Sequence, residues 1–135
     1  MSDFNAGIIE EFRTNDGQVG GDFAGAPLLL LHSRGARSGE PRVHPLMYLL
    51  DGERYLVFAS KAGSDTNPAW YHNLLAHPDT TIEVGGDELA VHATELEGAE
   101  RDQWYAEQAG RYSGFADYER KTSRRIPVVA LTPTA

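Results

Sequence analysis

Two glycine-containing turns, each between apolar segments, constrain the fold of this chain more than any other feature of its sequence. A two-residue hairpin turn requires positive φ angles, which glycine adopts readily, so dipeptides of this kind predict antiparallel hairpins. The predicted hairpins are Val43–Leu50 with Glu53–Ser60 across Asp51-Gly52, and Thr80–Val84 with Asp87–Glu95 across Gly85-Gly86.

The remaining apolar segments predict two more strands and four helices. The strands are Pro27–Ser33 and Ile126–Leu131, the latter with Pro127 at a sheet edge or a strand start. The helices are Asp3–Arg13 with Asp3 as its cap, Pro68–Ala76 with Asn67 as its cap, Glu97–Ala109, and Asp117–Lys121. Six strands, mostly in hairpins, predict an α+β fold that is mainly antiparallel β. So many hairpins favour a barrel that closes its own edges. The length of 135 residues predicts a single domain, 1–135.

Composition excludes several classes of function. A formal net charge of −8 argues against nucleic acid as a partner, because phosphate binding needs clustered cations. The chain has no cysteine, which excludes disulfides, a thiolate nucleophile and a zinc–thiolate site. The five histidines show no helical metal-site spacing, so we expect no metal. The longest apolar run, Leu28–Leu31, is far too short for a membrane span, and no secretory leader opens the chain. We therefore expect a cytoplasmic protein.

A basic segment interrupts this acidic composition. Residues 34–44 carry Arg34, Arg37 and Arg42 against Glu40, around the loop Gly35–Gly39. Glycine amides beside arginine forks and a serine hydroxyl form a nest that suits a small phosphate or carboxylate. No Gly-Lys-Ser/Thr ending follows and a strand comes next, so this is neither a Walker loop nor a Rossmann fingerprint. From composition alone, an exposed connection with ordinary surface arginines is an equally good interpretation.

Two further segments are candidates for ligand binding. Ser60-Lys61-Ala62-Gly63 follows a strand and precedes Asn67–Asn73, so its amides and Lys61 can meet the polar edge of a heterocycle. Tyr112, Phe115 and Tyr118 share one helical face beside basic residues, where their rings can cover a planar ligand. Core packing is the alternative for both segments. A hydrolase dyad of His44 with Ser38 or Ser60 is disfavoured, because no Gly-x-Ser-x-Gly elbow exists.

Four segments together carry a resemblance that each alone would not. They are Gly35-Ala-Arg-Ser-Gly-Glu-Pro-Arg-Val-His-Pro-Leu46, Ala59-Ser-Lys-Ala-Gly63, Asn67-Pro-Ala-Trp-Tyr-His-Asn-Leu74 and Thr122-Ser-Arg-Arg-Ile-Pro127. In this order the chain, from about Gly20 to Pro133, resembles the deazaflavin-dependent nitroreductase family of actinobacteria. The resemblance implies a split β-barrel related to pyridoxamine-phosphate-oxidase-like, FMN-binding proteins, with flanking helices. It also implies an oxidoreductase that uses coenzyme F-420, an 8-hydroxy-5-deazaflavin.

The resemblance also implies site residues, position by position. The cofactor's phosphate and acidic tail would contact Ala36, Arg37, Ser38 and Arg42. The strand along its ribityl chain and ring comprises Val43, His44, Pro45, Leu46 and Met47. The segments enclosing the ring comprise Phe58, Ala59, Ser60, Lys61, Ala69, Trp70, Tyr71, His72 and Asn73. The wall over the substrate comprises Tyr112, Phe115 and Tyr118.

One departure bears on the substrate. The relative that activates bicyclic nitroimidazoles has tyrosine where this chain has Phe115, so the resemblance predicts hydride transfer to planar acceptors but weak nitroimidazole reduction. The expected acceptors are quinones, activated alkenes or nitroaromatics, with Ser60 near the reacting edge and Tyr112 as proton donor. FMN is the less favoured ligand, because it lacks the acidic tail that the basic loop would meet.

Three questions stay open from the sequence. A non-catalytic module that stores or senses a deazaflavin or FMN would share the same binding residues. The N-terminal helix, within residues 1–16, can act as a mobile lid or as a weak membrane contact, although Asp3, Glu10 and Glu11 disfavour anionic lipid. The protein can be a monomer or a homodimer.

Overall fold

The computed structural model describes residues 2–14, 27–60 and 66–134, with side chains from residue 7 onward in the first of these segments. The helices are α1 (Ser2–Thr14), α2 (Ala69–Ala76), α3 (Gly98–Arg111) and α4 (Ser113–Lys121). The strands are β1 (Leu28–Arg34), β2 (Pro41–Met47), β3 (Leu49–Asp51), β4 (Arg54–Phe58), β5 (Asp79–Val84), β6 (Asp87–Glu95) and β7 (Val128–Pro133). All pairings are antiparallel, and the described strands form one sheet in the order β2-β1-β5-β6-β7-β4-β3.

The sheet curls until its two ends meet. β2 and β3 stand at opposite ends of the strand order, yet only Tyr48 separates them in the chain. The Tyr48 amide donates to the Pro27 carbonyl at 3.1 Å, and its ring lies 5.3 Å from that of Tyr55 on β4. One bent chain segment therefore supplies both edges, and the predicted antiparallel barrel is confirmed.

The two predicted hairpins are confirmed, and their turns contain the expected glycine conformations. Gly52 has φ 61° and Gly85 has φ 58°, values that residues other than glycine rarely adopt. The predicted strand Val43–Leu50 was too simple, because the chain bends at Tyr48 and forms two strands instead of one.

Three other expectations need correction. Asn67 does not cap α2: Pro68 is the cap residue and gives no side-chain cap bond, while the Asn67 carboxamide accepts from Arg124. α4 begins at Ser113, four residues before the predicted start. Pro127 precedes a strand as expected, but β7 lies between β6 and β4, so it is not an edge strand.

Alternation along the strands divides the apolar side chains into an inner core and two outer clusters. Leu29 and Leu31 join residues of four other strands and α2 in the inner core. Leu28 and Leu30 point outward and pack beneath Ile8 and Phe12 of α1. The second outer cluster lies beneath α3 and α4; its buried members are Leu49, Leu56, Phe58, Leu96, Tyr105, Phe115, Ile126, Val128 and Ala130. α1 therefore covers one face of the barrel and α3 with α4 covers another, whereas α2 contributes to the inner core.

An ion pair fixes α1 to the sheet. Arg13 donates through Nε and Nη2 to both carboxylate oxygens of Glu83, at 3.1 and 2.7 Å, and His32 Nε2 lies 2.6 Å from the same carboxylate. The Arg13 hydrogen bond is the main cause that lowers the pKa of Glu83. Because Ile8 and Phe12 are buried, the proposed membrane contact of this helix is not supported. No helix among the described residues is long and apolar enough to cross a bilayer.

Candidate functional site

The basic loop between β1 and β2 folds back on itself. Gly35 donates to the Glu40 carbonyl at 2.8 Å, and Gly39 donates to the Gly35 carbonyl at 2.9 Å. Gly39 has φ 73°, a conformation that favours glycine, and a Cβ at Gly35 would stand 2.5 Å from Ser38 Oγ, so a side chain there would force the Ser38 hydroxyl to rotate. The turn presents Arg37 and Ser38 outward at the end of the hairpin formed by β1 and β2.

Asn73 of α2 holds this loop in place. Its side chain is buried, and its carboxamide oxygen accepts from the Ala36 amide at 2.9 Å. The carboxamide nitrogen donates to Ser33 Oγ at 3.2 Å, in β1. A single side chain thus ties the loop and β1 to α2 through two hydrogen bonds.

We expect Asn73→Ala to weaken both the fold and ligand binding at the loop. The substitution leaves the Ala36 amide and the Ser33 hydroxyl without their partner, and the buried Ser33 hydroxyl alone should cost about 1–3 kcal/mol when unpaired. Urea unfolding should show this loss, and the Kd for an anionic ligand at the loop should rise. The exposed neighbour Leu75→Ala is the matched control on α2. An unchanged free energy of unfolding for Asn73→Ala would show that the two bonds contribute nothing.

A cleft of about 330 Å³ opens beside the loop, where six residues predicted from the sequence come together. Its lining comprises Gly35, Arg37, Ser38, Arg42, His44, Ala69 and Asn73. Two guanidinium groups, a hydroxyl and an imidazole in one cleft suit an anionic ligand. A larger cavity of about 410 Å³ does not suit an anionic ligand, because its lining contains Glu83, Asp87 and Glu88 as well as Arg13.

His44 contributes an unsatisfied buried atom to the cleft. Its Nε2 is buried and has no hydrogen-bond partner within the described segments 2–14, 27–60 and 66–134. Burial, followed by the charge of Arg42, lowers the pKa of His44 below its ordinary value. The imidazole is therefore neutral near pH 7 and keeps one ring nitrogen available to a ligand.

The lowered pKa of His44 predicts a pH dependence of stability. Between the folded-state pKa and the unfolded-state value of about 6.5, the unfolded chain binds more protons than the folded one, so acid favours unfolding. The free energy of unfolding should decrease as the pH is lowered through that window, and this decrease should be smaller in His44→Gln. Above about pH 6.5 the free energies of unfolding of the wild type and of His44→Gln should differ by a constant amount. Urea titrations between pH 5 and 8 measure this difference; parallel curves throughout would contradict the prediction.

The end of β4 is held by Arg124, for which the sequence predicted no separate role. Its Nη1 donates to the Ala59 carbonyl at 3.0 Å and to Asn67 Oδ1 at 2.5 Å, and its Nη2 donates to the Ser60 carbonyl at 2.9 Å. Ser60 itself is buried. Lys61 lies outside the described residues. Arg124 thus fixes the strand end on which the predicted Ser60 stands.

The predicted substrate wall is an edge-to-face aromatic cluster. Phe115 is buried at its centre, with ring centroids 5.8 Å from Phe58, 6.4 Å from Tyr105, 6.5 Å from Tyr112 and 5.2 Å from Tyr118. The Tyr105 hydroxyl donates to the Phe115 carbonyl at 2.7 Å. Tyr112 and Tyr118 are half-buried, so they present more surface to a ligand than Phe115 does.

The other predicted residues occupy several environments. Val43 and Met47 pack beneath α1, and Leu46 packs against the inner core. Trp70 and Tyr71 belong to the inner core, whereas His72 is exposed. Pro45 is half-buried on β2.

Tyr71 is tied to β6 across the inner core. Its hydroxyl donates to Glu95 Oε1 at 2.7 Å. Burial and this contact raise the pKa of Tyr71 to about 12, so the phenol stays protonated near neutral pH. The described residues contain no group of three or more acidic or histidine side chains placed to hold a metal ion.

The fold recurs in a solved structure of low sequence identity. The chain superposes on a pyridoxamine 5′-phosphate oxidase-type protein of Listeria innocua with a TM-score of 0.58 at 12% identity, over 81% of this chain and 85% of that one. At this identity the likeness concerns the fold alone, and it agrees with the expected split β-barrel.

Closer similarities identify the family. The model of the F420H(2)-dependent quinone reductase family matches residues 8–133. An F420H(2)-dependent quinone reductase of Mycobacterium tuberculosis is 40% identical over 90% of this chain and 84% of its own length. The solved F420-H2 Dependent Reductase FDR-A is 38% identical, with a TM-score of 0.71 over 78% of this chain and 93% of that one. Another solved chain, described as a domain-swapped dimer, is 36% identical, with a TM-score of 0.72 over 93% of this chain and 92% of that one. The chain belongs to the F420H(2)-dependent quinone reductase family.

Proposed function

We propose that this protein is an oxidoreductase that binds reduced coenzyme F-420 and reduces planar, electron-poor acceptors, quinones above all. The observation that carries the proposal is the cleft of Arg37, Ser38, Arg42, His44 and Asn73, in a chain of this family. Its cationic and hydrogen-bonding groups match a ligand with a phosphodiester and a carboxylate tail. The buried, unpartnered Nε2 of His44 fits such a ligand as well, because a bound polar group would satisfy it.

Arg37, Arg42 and Ser38 would hold the anionic part of the cofactor, and the neutral His44 would meet its polar chain. Asn73 and Ala36 would act together, since the Asn73 carboxamide keeps the Ala36 amide within the loop. The remaining predicted contacts are Val43, Pro45, Leu46, Met47, Phe58, Ala59, Ser60, Lys61, Ala69, Trp70, Tyr71 and His72. We propose that all of them belong to one domain, 1–135.

When bound, the deazaflavin supplies a hydride, that is, two electrons and one proton together. The protein then has to align the acceptor, exclude water and provide a proton. Tyr112 and Tyr118 would stack on the acceptor, and the Tyr112 hydroxyl would donate a proton to the reduced acceptor. Ser60 would direct its hydroxyl to the reacting edge, with Arg124 holding its carbonyl.

The decisive experiment is a titration of the purified protein with coenzyme F-420 and with FMN, followed by mixing with menadione. We expect tighter binding of coenzyme F-420 and menadione-dependent oxidation of its reduced form. Equal or tighter binding of FMN would overturn the cofactor assignment. Binding of coenzyme F-420 without turnover of menadione, other quinones or nitroaromatics would favour the storage or sensing module, which no observation here supports over catalysis.

The place of action and the assembly follow as parts of the same proposal. We place the reaction in the cytoplasm, where a reduced cofactor can be regenerated. Size-exclusion chromatography with light scattering distinguishes a monomer from a homodimer.

A further inference from the structure

Gln108 of α3 is completely buried, and neither polar atom of its carboxamide has a hydrogen-bond partner among the residues that the structure describes. Arg101, about two helical turns earlier on α3, shows the opposite behaviour. Arg101, also buried, donates through Nε and Nη2 to the Ile126 carbonyl at 3.0 and 2.8 Å. Because buried polar groups are nearly always paired, an unpaired donor and acceptor on one side chain are a cost that packing does not explain. A leucine or methionine would fill the same space without that cost.

The location of Gln108 indicates what would pair with it. Residues three and four apart share a helix face, so Gln108 lies on the face of α3 between Tyr105 and Tyr112. The Tyr105 ring packs 5.9 Å from Phe58 and 6.4 Å from Phe115. The carboxamide therefore belongs to the same side of α3 as the aromatic cluster that we propose for the acceptor.

We propose that Gln108 is an acceptor-binding residue, whose carboxamide hydrogen-bonds an oxygen of the quinone. This inference rests on the proposed function. A quinone oxygen only accepts hydrogen bonds, whereas the oxygen of the reduced quinol can also donate. A carboxamide carries both a donor and an acceptor, so rotation about its last bond serves both oxidation states. A carboxylate at this position would repel the negative charge that develops on the oxygen.

Because Gln108 is completely buried, an acceptor can reach it only if a covering element moves, and α4 is the element that we expect to move. Only Tyr112, in an extended conformation with φ −134° and ψ 100°, joins α3 to α4. A change at this single residue moves α4 relative to α3 and opens the aromatic cluster beside Gln108. The energy of the unpaired carboxamide favours the opened, acceptor-bound state, since binding supplies the missing partner.

Gln108→Met tests the inference through two independent measurements. Without acceptor, the variant should melt at least about 4 °C above the wild type, because it loses an unpaired polar group from the core. Its KM for menadione should rise about 10-fold or more, while the Kd for coenzyme F-420 stays within about twofold. Gln108→Glu should reduce kcat/KM further. Gln103→Met, exposed on the opposite side of α3, is the matched control and should change neither quantity.

The outcomes separate this inference from the proposed function. A wild type that reduces no quinone refutes the proposed function. An active wild type with a more stable but kinetically unchanged Gln108→Met refutes the role of Gln108 alone. A Gln108→Met protein that is less stable than the wild type would show that Gln108 has a structural partner. Failure of both Gln108→Met and Gln108→Leu to fold would show the same. Either outcome refutes the inference.

Discussion

Replacing Arg37 and Arg42 together by alanine is expected to weaken coenzyme F-420 binding about 100-fold. Each charge-assisted hydrogen bond contributes about 1.5–3 kcal/mol, less where water screens it, and about 1.4 kcal/mol corresponds to tenfold in affinity. Both side chains line the cleft and are exposed to solvent, so the lower part of that range applies. Fluorescence titration in low salt measures the effect, which should shrink as salt is added.

The single substitutions Arg37→Ala and Arg42→Ala should not weaken cofactor binding equally. Arg42 lies 3.7 Å from the Glu40 carboxylate, so Arg42→Ala removes a cation and also leaves that anion uncompensated beside the ligand. Glu40→Gln should accordingly strengthen binding by a small factor. Arg120→Ala, on the exposed surface of α4, is the matched control and should leave the Kd unchanged. If the Arg37→Ala, Arg42→Ala double variant retains wild-type affinity in low salt, the loop does not hold the cofactor.

Phe115→Ala should produce the largest loss of stability among the substitutions considered. The ring is buried among four other aromatic rings, and Phe→Ala in a core costs about 3–5 kcal/mol. Urea unfolding of the apoprotein measures this loss. Phe115→Leu should lose much less, because it leaves a smaller cavity. A loss below about 1 kcal/mol for Phe115→Ala would show that α4 does not pack as described.

The burial of Phe115 also refines what Phe115→Tyr can do. The added hydroxyl has to find a partner inside the cluster or reach the acceptor. We expect the variant to keep quinone reduction and to gain activity on bicyclic nitroimidazoles, with Tyr118→Phe as the control that removes a phenol from the same wall. Nitroimidazole reduction that is high in the wild type and unaffected by Phe115→Tyr would contradict this role.

Local features of the sequence predicted the elements, because the forces that form them are local. Asp51-Gly52 and Gly85-Gly86 specify their turns through backbone angles alone, and alternation marks the strands beside them. The loop of Arg37 and Ser38 was recognisable from its glycines and arginines, and the family resemblance supplied its partners on α2.

What the sequence did not predict depends on contacts between distant segments. Arg124 reaches Ser60 across 64 positions and takes Asn67 away from its expected capping role. The bend at Tyr48 arises because the barrel has to close, not from a proline or glycine at that residue. The burial of Gln108 without a hydrogen-bond partner among the described residues depends on the packing of the rings around α3, which the sequence does not show.

The position of β7 has a consequence for how the protein folds during synthesis. β7 lies between β6 and β4, although it is the last of the described strands to leave the ribosome. Until Val128–Pro133 emerges, the facing sides of β4 and β6 have no strand between them, and the two halves of the sheet cannot join. Unpaired strand edges are prone to pairing with other chains, so the nascent protein is exposed to aggregation until β7 emerges. The barrel can therefore close only after β7 has been synthesised, and any truncation that removes β7 should leave an insoluble chain.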